Sequence, residues 1–296
     1  MDENGLYDFH REMVARVSTT GESFNWHCDL DIPAADLERV RMLDVSEEAA
    51  QWRQKDPAPD MYFSHGEYYG EGIQHIVEEL KLKPTSNRAL YSLLAQHHIS
   101  GSGDDPIPSF LTLQCSIERG VLYCTASFRA LEVSKFLKIN LEEIRQNLVE
   151  ICKALPAVET VHLHIFAFHA YVRTAAAAAL RRPMIDVTPE ARLLRLMQKG
   201  DVRVLDELLG GLERSTTVVS SKSLEALLGI LQMPDGDLHA DVQSKRGLLE
   251  PQFKRAIDAC GELTASRKGA SRGLNTTAKI EAFHAAVRKL RETLLS

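Results

Sequence analysis

The order of apolar and polar positions changes character once along this chain, near residues 185–190. Before that point, short apolar runs alternate with helix-like stretches. Apolar residues at helical spacing predict helices over 6–17 and 70–81, the second with Ile73, Ile76, Val77 and Leu80 on one face. Residues 36–53 read as polar helix-like material, strands are expected around 23–32, and DPAPD at 56–60 is a break. The runs 111–117 and 121–128 are strand-like, with Glu118-Arg119-Gly120 as the hairpin turn between them. An amphipathic helix is expected over 140–155, ended by Pro156. The apolar and aromatic stretch 158–172 reads as a buried strand.

After Thr188 the pattern is helical. Pro189 suits a helix start, and residues 191–197, 202–209, 223–231, 248–260 and 277–295 all fit amphipathic helices. Glycine- or serine-rich breaks are expected at 210–211, 215–221, 234–237 and 265–273. The expectation is therefore two regions. Residues 1–187 form an α/β (α+β) unit with a mixed sheet and helices, and 188–296 form an all-helical appendage. No internal repeat is visible, and the alanine run 175–179 is too short to count as low complexity.

Composition narrows the class. The net charge is −6, and from Pro189 on the chain carries 17 Lys and Arg against 14 Asp and Glu. So weak a basic bias, even with RKGASR at 267–272, reads as a solvated helical surface rather than a nucleic-acid face. No apolar run reaches the ~18 residues of a membrane helix, and the acidic N-terminus lacks the apolar core of a signal peptide. The five cysteines, at 28, 115, 124, 152 and 260, form no CxxC pair and read as reduced thiols in a cytoplasmic protein. His97-His98 and His162-x-His164 have no acidic or cysteine partners nearby in sequence, so no metal is expected. GSGDD at 101–105 lacks the strand, lysine and helix of a phosphate loop.

The most informative stretch runs from Pro108 to Asn140. Counting from Ser109, Gln114 follows at five residues, Gly120 at eleven, Arg129 at twenty and Asn140 at thirty-one. Upstream lie Gly66-Glu67-Tyr68-Tyr69-Gly70 and Pro84-Thr85-Ser86-Asn87-Arg88, with Ser92 beyond. Downstream lies Phe168-His169-Ala170-Tyr171. In this order and at near this spacing, the pieces resemble the thymidylate synthases and pyrimidine hydroxymethylases. There the corresponding motifs are Pro-Cys-His with Gln, Gly, Arg and Asn at those offsets, Gly-Pro-Val-Tyr-Gly, Pro-x-Ser-Arg-Arg and x-His-x-Tyr. The resemblance covers roughly residues 60–175.

What the resemblance implies is specific. The fold would be the thymidylate synthase type, dimerising through its sheet. Arg129 would grip the 5′-phosphate of a pyrimidine nucleoside monophosphate, with Arg88 contributed by the other subunit of a homodimer. Asn140 and Gln114 would meet the base, with Asn140 leaning toward uracil. His169 and Tyr171 would meet the sugar. Ser109 would hold the nucleophile's place, Tyr69 would lie near C5 of the base, and Glu48 would stand for the family's catalytic glutamate. Beside these roles, Asn140 also suits a helix N-cap before Leu141, and His169 and Tyr171, two apart in an apolar strand, suit satisfied core groups.

The departures concern the chemistry. The reaction needs a thiolate, and Ser109 supplies a hydroxyl, with Phe110 where the family has histidine. Asn87 replaces a phosphate arginine, Phe128 a glutamine, Ala130 a serine and Glu132 the folate-facing aspartate. Phe136 and Lys138 replace the glycine and proline of the folate-side loop, and Phe166-Ala167 replaces a Gly-Asp pair. Cys115 is six residues from Ser109, about 20 Å along an extended strand, and Cys124 lies on the paired strand. Neither substitutes for the missing thiol. The expectation is a nucleotide-binding or sensing protein that lacks methylase activity and needs no cofactor. The alternatives are a C5 transferase that uses folate by a thiol-independent route, or a structural dimer with a vestigial site whose helical tail binds another protein.

Overall fold

Alternation along four strands builds one sheet with two unlike faces. The computed structural model describes all residues except 1–2, 59–60, 102–105, 173–184, 186–187, 216–219, 235–236 and 270–273. The chain divides into two compact units, the first built chiefly on residues before 178 and the second chiefly on residues after it.

In the first unit the strands are β1 (Glu22–Pro33), β2 (Leu90–Ser92), β3 (Phe110–Glu118), β4 (Val121–Phe128), β5 (Leu131–Glu132) and β6 (Thr160–Tyr171). The sheet order is β1-β6-β4-β3-β2, with β5 also on β6. Pairing is antiparallel for β1/β6, β2/β3 and β3/β4, and parallel for β4/β6 and β5/β6. The parallel β4–β6 pair requires a crossover, and helix α6 (Phe136–Ala154) makes it. The expected mixed sheet with helices is what forms.

One face carries Trp26, Cys28, Leu30 and Ile32 of β1, Leu113 and Cys115 of β3, Leu122, Cys124, Ala126 and Phe128 of β4, and Val161, Leu163, Ile165 and Ala167 of β6, all buried. Helix α6 packs its buried Leu137, Leu141, Ile144, Leu148 and Ile151 on this side. Helix α1 (Gly5–Ser18) lies beside it through Leu6, Met13 and Val17. The other face is half-buried to exposed and runs in cross-strand rows: Ser116, Tyr123, His162 and Asp31; Gln114, Thr125, His164 and Asp29. The two histidines are tied to β1, His162 Nδ1 to Asp31 at 2.6 Å and His164 Nδ1 to Asp29 at 2.7 Å.

The hairpin turn falls where the sequence puts it, with Arg119 at φ 51° and Gly120 at φ 77°, as a tight hairpin turn of the right twist requires. Other boundaries move. Residues 36–53 are mostly not helix: only α2 (Ser46–Trp52) and a single 3₁₀ turn at Ala34–Asp36 form. Between them, backbone groups are satisfied from α6 instead, Leu37 O by Arg145 Nη1 at 2.8 Å and Met42 N by Glu142 Oε2 at 3.0 Å. The helix expected over 70–81 forms as α4 (Gly72–Leu82). A short α3 (His65–Tyr69) precedes it and ends at Gly70, whose φ of 50° and ψ of −115° suit only glycine. Strand β2 and helix α5 (Gln96–Gly101) are additions. Residues 59–60 of the DPAPD break, 102–105 of GSGDD and the alanine run 175–179 lie outside the described residues.

The second unit is helical: α7 (Glu190–Lys199), α8 (Val202–Glu213), α9 (Lys222–Leu231), α10 (Ala240–Ser244), α11 (Arg246–Gly269) and α12 (Leu274–Leu295). They share one core that includes Leu193, Leu205, Leu209, Leu227, Leu249, Phe253, Phe283, Val287 and Leu290. Helix α10 was not legible, and Gly210-Gly211 does not end α8. A Cβ on Gly210 would stand 3.4 Å from the Arg291 guanidinium, and that group bridges Asp206 and Glu213 on the same helix. Parts of the other expected breaks, 216–219, 235–236 and 270–273, lie outside the described residues. Among the described residues no helix is long and apolar enough to cross a membrane.

Candidate functional site

The site is organised around the first turns of α6. Just before that helix, Glu132 is 2% exposed, and its carboxylate accepts from the N–H groups of Ser134 (3.0 Å), Lys135 (2.8 Å) and Phe136 (3.2 Å). Three orphan donors and the positive end of the helix dipole thus meet one buried anion. This cap starts α6 four residues earlier than its apolar pattern suggests. Asn140 therefore lies in the second turn, and the N-cap role open to it from sequence falls away. Its Nδ2 donates to Phe136 O at 2.8 Å, while its Oδ1 is buried with no partner among the described residues.

Arg129, just past the end of β4, is fastened to the segment that leads into β3. Its N–H donates to Ser109 O at 2.9 Å, its Nε to Pro108 O at 3.1 Å and its Nη2 to Ile107 O at 3.0 Å. A guanidinium has five N–H donors, so two of these bonds leave three for another acceptor. The residue as a whole is exposed, yet crowding around the guanidinium lowers its pKa, against the opposing pull of the nearby Tyr171. An arginine stays charged nonetheless. Tyr171 lies at the end of β6, where its carbonyl accepts from Val133 N at 2.9 Å on the approach to α6. Its ring stacks on His169 at 5.1 Å, and His169 stacks on Phe24 at 4.6 Å. His169 Nε2 lies 3.1 Å from Glu22 Oε2.

Ser109, Arg129, His169 and Tyr171 are thus brought together at one end of the sheet, with Asn140 at the adjoining head of α6. Glu48 on α2 reaches the same helix head, its carboxylate 3.9 Å from Lys135 Nζ. Among the described residues no side chain hydrogen-bonds the Ser109 hydroxyl, and no base is in place to activate it. Three expected residues stand elsewhere. Tyr69 is buried, its hydroxyl donating to Arg53 O at 3.2 Å and its ring 4.6 Å from Tyr91, and burial raises its pKa further. Gln114 points to the open face of the sheet and donates to Asn87 O at 2.9 Å. Arg88 is exposed beside it.

Several residues of this neighbourhood escaped sequence reasoning. His65 Nδ1 lies 2.9 and 2.8 Å from the two oxygens of Glu143, and both residues are buried. The imidazole is walled by Trp52 at 4.9 Å and Phe110 at 5.7 Å. One turn further along α6, Asn147 accepts from Arg53 Nε at 2.6 Å and donates to Tyr91 Oη at 3.1 Å. The available signal was the spacing of Asn140, Glu143 and Asn147, polar positions at 3 and 7 on a helix that has to be buried. Histidine is absent after Ser109, but His65 brings an imidazole against Phe110 from another element.

The cysteines are core groups. Cys115 and Cys124 pair across β3 and β4 with their sulfurs 3.3 Å apart, and burial raises the Cys124 thiol pKa well above its ordinary value. Burial likewise pushes Cys28 and Cys152 up to about 12. Among the described residues no cluster suited to a metal ion is present. No family model matches the chain, and no curated protein matches it at a significant level.

Proposed function

We propose that this chain binds a pyrimidine nucleoside monophosphate at the head of α6 and does not methylate it. The observation that carries the reading is Asn140 Oδ1, a buried acceptor with no donor among the described residues. Leaving such a group unpaired costs roughly 1–3 kcal/mol, and the cost is removed when a ligand N–H meets it. Arg129 keeps three unused donors for a phosphate, and His169 and Tyr171 stand beside it for a sugar. These four are among the residues on which the resemblance to thymidylate synthases rests, and their grouping supports it. The nucleophile's place holds a hydroxyl without a base, which supports binding or sensing over transfer. A binding role needs no cofactor, and folate enters only if C5 transfer occurs.

The open sheet face, with Arg88 and Gln114 at its edge, suits pairing with a second copy that lends Arg88 to its neighbour's phosphate. In this reading the partner surface for another protein is the helical unit. The reading also favours a cytoplasmic protein, where nucleotides and reduced thiols occur together. A thermal-shift panel across dUMP, dCMP, dTMP, UMP and CMP tests it. Saturation at a hundredfold Kd adds about 2.7 kcal/mol of stability, and a flat panel at millimolar nucleotide refutes the binding function.

A further inference from the structure

Resting on that reading of the site, we propose that its ligand is a dinucleoside monophosphate: a pyrimidine nucleoside whose 5′-phosphate is joined to a second nucleoside, with the second base stacked on Phe24. The observation is a row of rings beside Arg129. Phe24 of β1 stands opposite His169 of β6 and stacks on it at 4.6 Å between centroids, with 16° between the planes. His169 stacks in turn on Tyr171 at 5.1 Å and 26°. Phe168 meets Phe24 edge to face at 5.7 Å.

Both phenylalanines are more than half exposed, Phe24 at 53% and Phe168 at 56%. Apolar residues exposed singly are ordinary, but two in contact at the end of a ring stack form a patch that calls for an occupant. The backbone there is irregular. The β1–β6 ladder passes from Phe24↔His169 to Trp26↔Ala167 without pairing Asn25 with Phe168, and Asn25 has φ 51°. A non-glycine residue in that region is uncommon and carries a strain that regular pairing avoids. The strain sits at the residue between exposed Phe24 and buried Trp26.

Position and charge select the occupant. Strand β4 pairs with β6 as far as Phe128↔Ala167, and β5 resumes at Leu131↔Ala170, so Arg129 runs beside Phe168 and His169. Phe24 lies one strand further, about 10 Å from the Arg129 backbone at the usual strand spacing. A phosphate on the remaining donors of Arg129 is therefore one nucleoside away from the ring patch. A nucleic-acid base has a flat face for such a ring, and any base gains from the stacking. Glu22 puts its carboxylate 3.1 Å from His169 Nε2 at the same patch, and that charge repels a second phosphate. What fits is one phosphate with an uncharged nucleoside beyond it.

The experiment is titration calorimetry on the full chain with dUMP, its methyl phosphate ester, dApdU and pdApdU, and with the cytosine counterpart of each. The methyl ester has the charge of dApdU and lacks the second ring. The expected result is about five- to a hundredfold tighter binding of the dinucleoside monophosphate than of the methyl ester, as stacking of one base on an aromatic side chain provides. Phe24→Ala should remove that gain and keep the methyl-ester affinity. Equal affinities of the two esters, or a gain kept in folded Phe24→Ala protein, would overturn the inference while leaving mononucleotide binding intact. Binding of none of these compounds would overturn the nucleotide reading and this inference with it. A second phosphate, as in pdApdU, should bring no further gain; tighter binding would overturn the limit to one phosphate and make the end of a DNA strand the ligand. Sedimentation of the wild-type and Phe24→Ala chains should give the same mass, and a dimer lost in the variant would mean that a second copy covers the rings, which overturns the proposal.

Discussion

Glu142 and Arg145 lie one turn apart on α6 and are joined twice, Nη2 to Oε1 at 2.6 Å and Nε to Oε2 at 2.8 Å, with the carboxylate wholly buried. The same carboxylate takes Met42 N and Ser46 Oγ, each at 3.0 Å, and Arg145 takes Leu37 O. The pair therefore holds the irregular chain between β1 and α2. Removing one partner leaves a buried charge, so Glu142→Ala should cost about 3–5 kcal/mol, whereas a double change to apolar residues of similar volume should be close to neutral. Urea unfolding of the single and double variants measures both.

The same carboxylate makes stability pH-dependent. Burial pushes the Glu142 pKa up, but the bonds from Arg145, Met42 N and Gln146 outweigh it, and the group sits below its ordinary 4.5. A depressed carboxyl contributes stability that is present above the unfolded value and lost as pH falls through the folded one. The contribution should be complete above about pH 4.5 and fade below it. An acid titration of stability for Glu142→Gln should lack that component.

Glu132 should matter as much to α6 as its residue type suggests it should not. Glu132→Ala removes the acceptor of three N–H groups at once. The expected loss is about 2 kcal/mol, at the upper end for a helix cap. Unfolding by urea gives the number, and a loss under about 0.5 kcal/mol would mean that water replaces the cap.

How far these features were legible differs by kind. Strands β3, β4 and β6 could be read because one face is buried, which forces alternation or a continuous apolar run. That Ser109 and Arg129 lie at the same end of the sheet could be read because β3 and β4 form a hairpin with a two-residue turn, but their direct pairing could not, since it depends on a register shift between Phe110 and Thr112. The start of α6 could not be read, since its cap is a side chain from β5 rather than Asn140. Tyr69 and Gln114 could not be placed either. Each has the residue type for a site, but Tyr69 turns into a ring stack with Tyr91, and Gln114 falls on the opposite sheet face. His65 and Glu143 meet across 78 residues of chain, and no local pattern encodes such a contact.

Arg129→Ala should lower nucleotide affinity about ten- to a hundredfold, the equivalent of a charge-assisted contact of about 1.5–3 kcal/mol. The variant also loses the bonds to Pro108 and Ile107, so Arg129→Lys is the companion. Lysine keeps the charge without the fork and should recover only part of the affinity. Calorimetry with the preferred monophosphate reads both, and unchanged affinity in a folded Arg129→Ala protein would detach Arg129 from the site.

Arg88→Ala should weaken binding as well if Arg88 acts across a homodimer. A mixed dimer of Arg88→Ala and Arg129→Ala chains then contains one site with both arginines intact. Titration of the mixture should show about half the sites at wild-type affinity when exchange is arranged to give one-to-one dimers. Recovery of none would place Arg88 in its own subunit's site.

On the proposed reading, Ser109 stands where the reacting thiol would be. Trapping by 5-fluoro-dUMP requires a thiolate to add at C6 of the base, and Ser109 offers a hydroxyl with no base bonded to it among the described residues. The unmodified protein should therefore form no adduct and should not methylate dUMP with methylenetetrahydrofolate. Ser109→Cys should form an adduct slowly, because a pyrimidine bound at the head of α6 would sit within reach of that thiol. It should still not transfer a methyl group, since Phe110, Phe136 and Lys138 leave the second substrate unplaced, and misplacement alone can cost about a hundredfold. Intact-protein mass spectrometry decides both points. An adduct on the unmodified chain would make C5 transfer the leading function, with the modified residue identifying its nucleophile. The absence of any adduct in Ser109→Cys, with nucleotide binding retained, would mean that the base lies away from residue 109.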